Sequence, residues 1–188
     1  MKLLRRTLFG NPILRQKARS LTSEEILSTD IRDLIRDIRF TLEKRKYGVG
    51  LAAPQVGKRV ALSVIGIKPT PTRPDTVRME LVVINPEIVK TYGRKKPLWE
   101  GCISLGTGTD VPYAQVPRYK KIRLRYLDEL ANTHEKDFEG LLAHVIQHEV
   151  DHLEGILFVD KVTDYTTFIR ASEYRRRFVK HEDETGRS

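Results

Sequence analysis

Hydrophobic positions recur along this chain with two different periods. From Ser23, the apolar residues Ile26, Leu27, Ile31, Leu34, Ile35, Ile38, Phe40 and Leu42 return at threes and fours. That spacing predicts an amphipathic helix running to about Lys46, with a break near Thr29-Asp30. Gly48, Gly50 and Pro54 then end helical structure. Val60 to Ile67 and Leu81 to Val89 read as buried strands, the second dented by Asn85-Pro86. In Lys121 to Leu127, Ile122, Leu124 and Tyr126 alternate with Arg123 and Arg125, the mark of a half-exposed strand. Asn132 to Phe138 reads as a hairpin link or short strand, and Leu141 to Glu154, closed by Gly155, as the most regular helix. Ile156 to Val159 is a short apolar segment. Thr166 to His181 predicts a last, basic helix, followed by a polar tail. Strands in the middle and helices on the flanks make the expected class α+β rather than a βαβ array.

Composition narrows the picture further. The 188 residues suit one compact domain. The longest apolar stretch, Ala61 to Ile67, falls far short of the roughly 20 residues of a membrane-spanning helix. Cys102 is the single cysteine, which excludes an internal disulfide and any metal site built from several thiolates, and fits a reducing, cytoplasmic setting. The net charge of +9 suggests an acidic partner such as nucleic acid or a nucleoprotein. The first twenty residues are basic and free of acids, as transit peptides are, but Pro12 interrupts any long helix there and no signal-type apolar core follows. A mature N-terminus belonging to the domain is expected. Lys68 to Asp75 reads as a proline-rich surface loop.

Three segments carry candidate chemistry. The first is H-E-x-x-H at His148-Glu149-Val150-Asp151-His152. On a helix the two histidines lie one turn and roughly 40° apart, so both can reach one ion. Glu149 falls within the apolar stripe formed by Leu141, Leu142, Val145, Ile146 and Leu153. Gln147, Asp151 and Glu154 fall on the opposite, polar face. A carboxylate on a buried stripe is costly unless a cation compensates it, and burial raises its pKa toward that of a useful proton carrier. Such a motif also arises by chance, so a third ligand decides. The position six residues past His152 holds Phe158 rather than a third histidine. Glu173 is available downstream. His144 lies one turn earlier, and three histidines in line span about 12 Å, too far to share one ion, which makes it a flanking residue. Cys102, in Glu100-Gly101-Cys102-Ile103-Ser104, is the other candidate, and a thiolate with two imidazoles suits a four-coordinate divalent metal. Alone it would equally well be a small buried hydrophobe. The third segment is the loop Gly48-Val49-Gly50-Leu51-Ala52-Ala53-Pro54-Gln55. It lacks the spacing of a nucleotide loop. Its small residues allow a peptide strand to lie alongside, or simply a tight turn against the core. Gln55 offers an amide N–H to an oxyanion.

Together and in this order, the three segments resemble the peptide deformylase signatures G-h-G-h-A-A-x-Q, E-G-C-h-S and H-E-h-D-H, where h is apolar. Asn11-Pro12-Ile13-Leu14-Arg15, Val116-Pro117-Arg118 and Gly155 to Asp160 extend the likeness to residues 5–165. The resemblance implies antiparallel or mixed sheets packed around a central metal-binding helix, with N-terminal and C-terminal helices. It implies a catalytic domain over 1–165 and a basic helix and tail over 166–188. It also implies a cytoplasmic iron(II) hydrolase that removes the formyl group from the initiator methionine of nascent peptides. Cys102, His148 and His152 would hold the metal, with Zn, Ni or Co also compatible. Glu149 would be the general acid/base, Gln55 and the Ile103 N–H the oxyanion hole, and Gly48, Val49 and Gly50 the peptide-binding edge. In that scheme metal-activated hydroxide attacks the formyl carbon. Ile103 stands where the family commonly has Leu, and Leu105 to Thr109 departs from its usual continuation, which bears on side-chain preference. Arg118 is expected to pair with Glu100. Arg170, Arg175, Arg176, Arg177 and Lys180 resemble a helix by which some members dock on ribosomes. The competing expectations are a zinc protease using His148, His152 and Glu173, and a non-catalytic ribosome- or RNA-binding module.

Overall fold

The computed structural model describes residues 1–45, 48–69 and 76–179. The expected first helix is two: α1 (Ser23–Leu27) and α2 (Thr29–Glu43). Ser28 separates them in an extended conformation. Its hydroxyl donates to the Glu25 carbonyl (2.6 Å) and accepts from Ile31 N, closing one helix and opening the next. Thr22 and Glu25 cap α1 reciprocally.

Among the described residues eight strands follow, all paired antiparallel. β1 (Gly50–Ala52), β2 (Leu62–Ile67), β3 (Met79–Tyr92), β6 (Lys121–Leu127) and β7 (Thr133–Glu139) form one sheet in that order. β4 (Lys96–Gly101), β5 (Pro112–Arg118) and β8 (Ile169–Arg170) form the second. β3 runs through the Asn85-Pro86 dent because that pair sits in a register shift. Asn85 adopts a positive φ of 49°, and its amide bonds Leu21 N and O, tying the irregularity to the chain before α1.

Alternation along β2 divides the core. Leu62 and Val64 face Ile31, Ile35, Ile38 and Leu42 of α2. Ile65 and Ile67 face Val145 and Ile146 of α3 (Gly140–Leu153), together with Ile122 and Leu124 of β6. The five-stranded sheet therefore carries a helix on each side, and α3 lies between it and the smaller sheet. This corrects the expected polar face of α3: Gln147 and Asp151 are buried, and only Glu154 of the three is exposed. The side chain of Gln147 bonds both the N–H and the C=O of Tyr119, at 3.0 and 2.8 Å. Its polarity serves to dock the helix on the β5–β6 turn.

The C-terminal segment also departs from a continuous helix over 166–181. A 3-10 turn at Tyr165–Thr167 leads into β8, which pairs with Pro112 and Tyr113 of β5. Helix α4 (Ala171–Phe178) then lays Tyr174 on Tyr113 (ring centroids 4.6 Å apart), while Trp99 meets Tyr174 and Phe178. Most of the proline-rich loop, 70–75, and Lys180 lie outside the described residues. Among the described residues, no helix is long and apolar enough to cross a membrane.

Candidate active site

Helix α3 sets His148 and His152 one turn apart, with ring centroids 4.8 Å from each other. Cys102 reaches them from the end of β4. Gly101, just before it, has no room for a side chain: an added Cβ would lie 2.4 Å from the Tyr113 ring. The bare α-carbon thus lets β4 close on β5 and delivers the sulfur to the helix. Ligand atoms of Cys102, His148 and His152 all lie within 4.8 Å of one another, and Sγ is 3.3 Å from His152 Nε2. Donors around one tetrahedral ion stand about 3.5 Å apart, given bonds of roughly 2.0–2.3 Å, so the separations fit a shared cation.

The surroundings fit as well. Glu100, buried, accepts from Arg118 Nε and Nη2 (2.6 and 3.0 Å), His144 Nε2 (2.9 Å) and His148 Nδ1 (2.8 Å). An ionised carboxylate only accepts, so His148 donates through Nδ1, which leaves Nε2 as the nitrogen able to meet a cation. Burial alone would push the Glu100 carboxyl up. His144, His148 and Arg118 outweigh it and hold the group ionised, well below its ordinary range. Burial likewise opposes ionisation of Cys102, but the adjacent His152 and His148 bring its pKa well down, toward the thiolate a metal needs.

Glu149 behaves in the opposite way. It is buried, its Oε2 has no hydrogen-bond partner, and burial raises its pKa against the pull of His148 and His152. His152 Nδ1 is a second buried polar atom without a partner. An unpaired carboxylate oxygen beside a sulfur and two imidazoles is an arrangement that a cation and its water would satisfy. The glycine loop supplies the space. A Cβ at Gly50 would sit 2.3 Å from Glu149 Oε1, so a side chain at this β1 position would have to displace the carboxylate. Gln55 accepts from Ala52 N through Oε1 (2.8 Å), which turns its Nε2 toward Ser104 Oγ (3.2 Å) and Cys102 Sγ (3.4 Å). Gln55 and Gly50 are thereby brought to the cluster, Ile103 follows Cys102 in the chain, and β1 forms one edge of its sheet, with Gly48 and Val49 just before it.

Two expectations change. Glu173 does not join the histidines: it lies in α4, bound to Arg176 and Arg177 (2.7 and 3.1 Å). Among the described residues, the group able to hold an ion is Cys102, His148 and His152. His144, expected to be a bystander, bonds Glu100 and so belongs to the support of His148. Its spacing of one turn before His148 was the signal. The expected Arg118–Glu100 pair is present, and it continues through Arg118 Nη1 to Asp151 Oδ2 (2.6 Å) and from Asp151 Oδ1 to Lys161 Nζ (2.5 Å). Sequence patterning did not reveal the parts played by Asp151 and Lys161.

A Cys–His–His cluster that could hold a metal, with a buried glutamate oxygen unpaired beside it and the edge strand β1 alongside, fits the class of metal-dependent hydrolases. The polypeptide deformylase family model matches residues 6–167, and the chain belongs to that family. It is 38% identical to a peptide deformylase of Thermomicrobium roseum over 93% of this chain and 90% of the relative. It is 37% identical to peptide deformylase 2 of a Nostoc species over 92% and 93%. Among solved structures, a Met-Ala-Ser-bound deformylase from Acinetobacter baumannii superposes with a TM-score of 0.78 at 33% identity, covering 86% of this chain and 99% of that one. A Thermotoga maritima deformylase gives 0.73 at 30% identity, covering 87% and 100%. Family and fold together support hydrolytic removal of an N-formyl group.

Proposed function

We propose that this chain removes the formyl group from the N-terminal methionine of nascent polypeptides in the cytoplasm, using one divalent cation held by Cys102, His148 and His152. The observation that carries the reading is Glu149: a buried carboxylate with an unpaired oxygen, next to that donor set and against a glycine that keeps its space open. Bound there, the cation would acidify a water and polarise the formyl oxygen. The donor set suits Fe(II), Zn, Ni or Co, and Fe(II) is the assignment that comes with the family likeness.

The chain's own residues supply the rest. Glu149, with its raised pKa, takes the proton of the attacking water and passes it to the departing amine nitrogen as the C–N bond breaks. The products are formate and a free N-terminus. The Gln55 Nε2 and the Ile103 N–H hold the oxygen that gains charge as the carbonyl carbon becomes tetrahedral. Gly48, Val49 and Gly50 pair with the peptide backbone along the open edge of β1. Glu100 fixes His148 through Nδ1, and His144 and Arg118 fix Glu100.

Formate release from formyl-Met-Ala-Ser tests the reading. The wild type should turn over, and Glu149→Ala should retain its metal and lose activity by about 10²–10⁴-fold. A wild type that binds metal or RNA without releasing formate would leave the binding-module reading instead. The exposed Arg176 and Arg177 of α4 support salt-sensitive contact with ribosomal RNA. Because Tyr174 and Phe178 pack on Tyr113 and Trp99, charge-reversing substitutions are a cleaner test of docking than truncation at Asp164.

A further inference from the structure

Among the described residues, Arg6 and Arg45 are two arginines with no carboxylate partner, one on the wall that carries Cys102 and one beside Gly48. The N-terminal segment runs alongside α2 in step with its turns: Lys2 N donates to Asp37 Oδ1 and Leu4 N to Thr41 Oγ1. The next steps of that ladder are Arg6 and Arg45. Arg6 Nη1 donates to the carbonyls of Ile103 (2.7 Å) and Gly106 (3.2 Å), on the wall that carries Cys102. The side chain of Arg45 lies along Gly48, on the opposite wall, within 3.8 Å of where a Cβ would be. Among the described residues no carboxylate reaches either guanidinium, and Arg45 Nε is buried with no partner. Burial pushes the Arg45 pKa down, and the Arg6 charge adds to it. Simple capping of α2 does not explain Arg45, because Lys68 Nζ already takes the terminal carbonyls of Leu42 and Glu43 (3.2 and 2.7 Å).

The direction of a bound peptide follows from the site. Glu149 lies against Gly50, and Gln55 lies beyond it with Cys102, so the formyl end belongs there. The rest of the peptide must leave past Val49 and Gly48 toward Arg45. At about 3.3 Å per residue, its second or third residue after methionine arrives between the two guanidiniums.

Resting on the deformylase reading, we propose that Arg6 and Arg45 form an anion-reading subsite that favours a carboxylate two or three residues after the formyl-methionine. The carboxylate is an acidic side chain or, in a short peptide, the C-terminus.

The test compares kcat/KM for formyl-Met-Ala-Glu-amide, formyl-Met-Ala-Gln-amide, formyl-Met-Ala-Lys-amide and the free acid formyl-Met-Ala-Gln. The Glu peptide should exceed the Gln amide by about three- to tenfold, mainly through KM, with the Lys peptide lowest and the spread shrinking in high salt. A free acid that outruns the Gln amide would assign the subsite to the terminal carboxylate as well. Arg45→Gln should bring the amide peptides together, and Arg45→Lys should restore part of the order. Binding of the products Met-Ala-Glu-amide and Met-Ala-Gln-amide, measured by calorimetry, should show the same preference. Equal values in the wild type, or an unchanged order in Arg45→Gln, would overturn the subsite. Absence of formate from every peptide would overturn the deformylase reading, and the calorimetric ratio would still decide the subsite.

Discussion

The ion pairs on either side of the smaller sheet have similar lengths and opposite meanings. Inside, Arg118 joins Glu100 and Asp151 at 2.6 Å each, with side chains no more than 10% exposed. Outside, Glu173 joins Arg176 and Arg177 at 2.7 and 3.1 Å, with side chains 38–67% exposed. Water screens the outer set, so these pairs add little to stability. The inner set has no solvent to fall back on, and it leads to a nitrogen of His148. Length alone does not reveal what an ion pair does; burial and the next atom in line do.

Several substitutions separate the two regions. Cys102→Ala has the largest expected effect, since the proposed site would lose its one sulfur ligand: metal content and formate release should both collapse, the first read by elemental analysis. Arg118→Ala comes next. It takes the shared guanidinium from two buried carboxylates and should cost about 3–5 kcal/mol in a denaturation titration, with weaker metal binding. Gly50→Ala forces its Cβ onto Glu149 and should reduce kcat strongly while leaving metal content near that of the wild type. The smallest effect belongs outside: Glu173→Gln should leave the denaturation midpoint essentially unchanged. A large loss there, or none at Arg118, would invert the contrast.

Acidity offers a further check. Burial raises the Glu149 pKa, and as the proposed base it must be ionised to accept a proton. Activity should therefore fall with decreasing pH through a value above the ordinary glutamate range, rather than near 4.5. A kcat/KM profile flat down to that value would contradict the assignment.

What could be read beforehand follows physical lines. β2, β6 and α3 bury one face against a neighbour, and their periods announced them. β1, β4 and β5 are rich in Gly, Ala or Pro, and pairing alone makes them strands; Pro97 even lies opposite Pro117. The two histidines stood one turn apart and could be seen as a pair. Cys102 lies 50 residues from His152, so no local pattern linked them, and the family likeness did. The inner face formed by Gln147 and Asp151 was misread because polar residues on a helix usually face water. Here each has a buried partner supplied by β5, the turn after it, or the segment following α3.

The most direct measurement is the absorption spectrum of the protein loaded with one equivalent of Co(II). With the sulfur and both imidazoles on one ion, the wild type should show a sulfur-to-cobalt charge-transfer band and intense tetrahedral d–d bands. Cys102→Ser should lose the first, and His152→Ala should weaken the second. A wild-type spectrum without the charge-transfer band, or one unchanged in Cys102→Ser, would contradict the shared site.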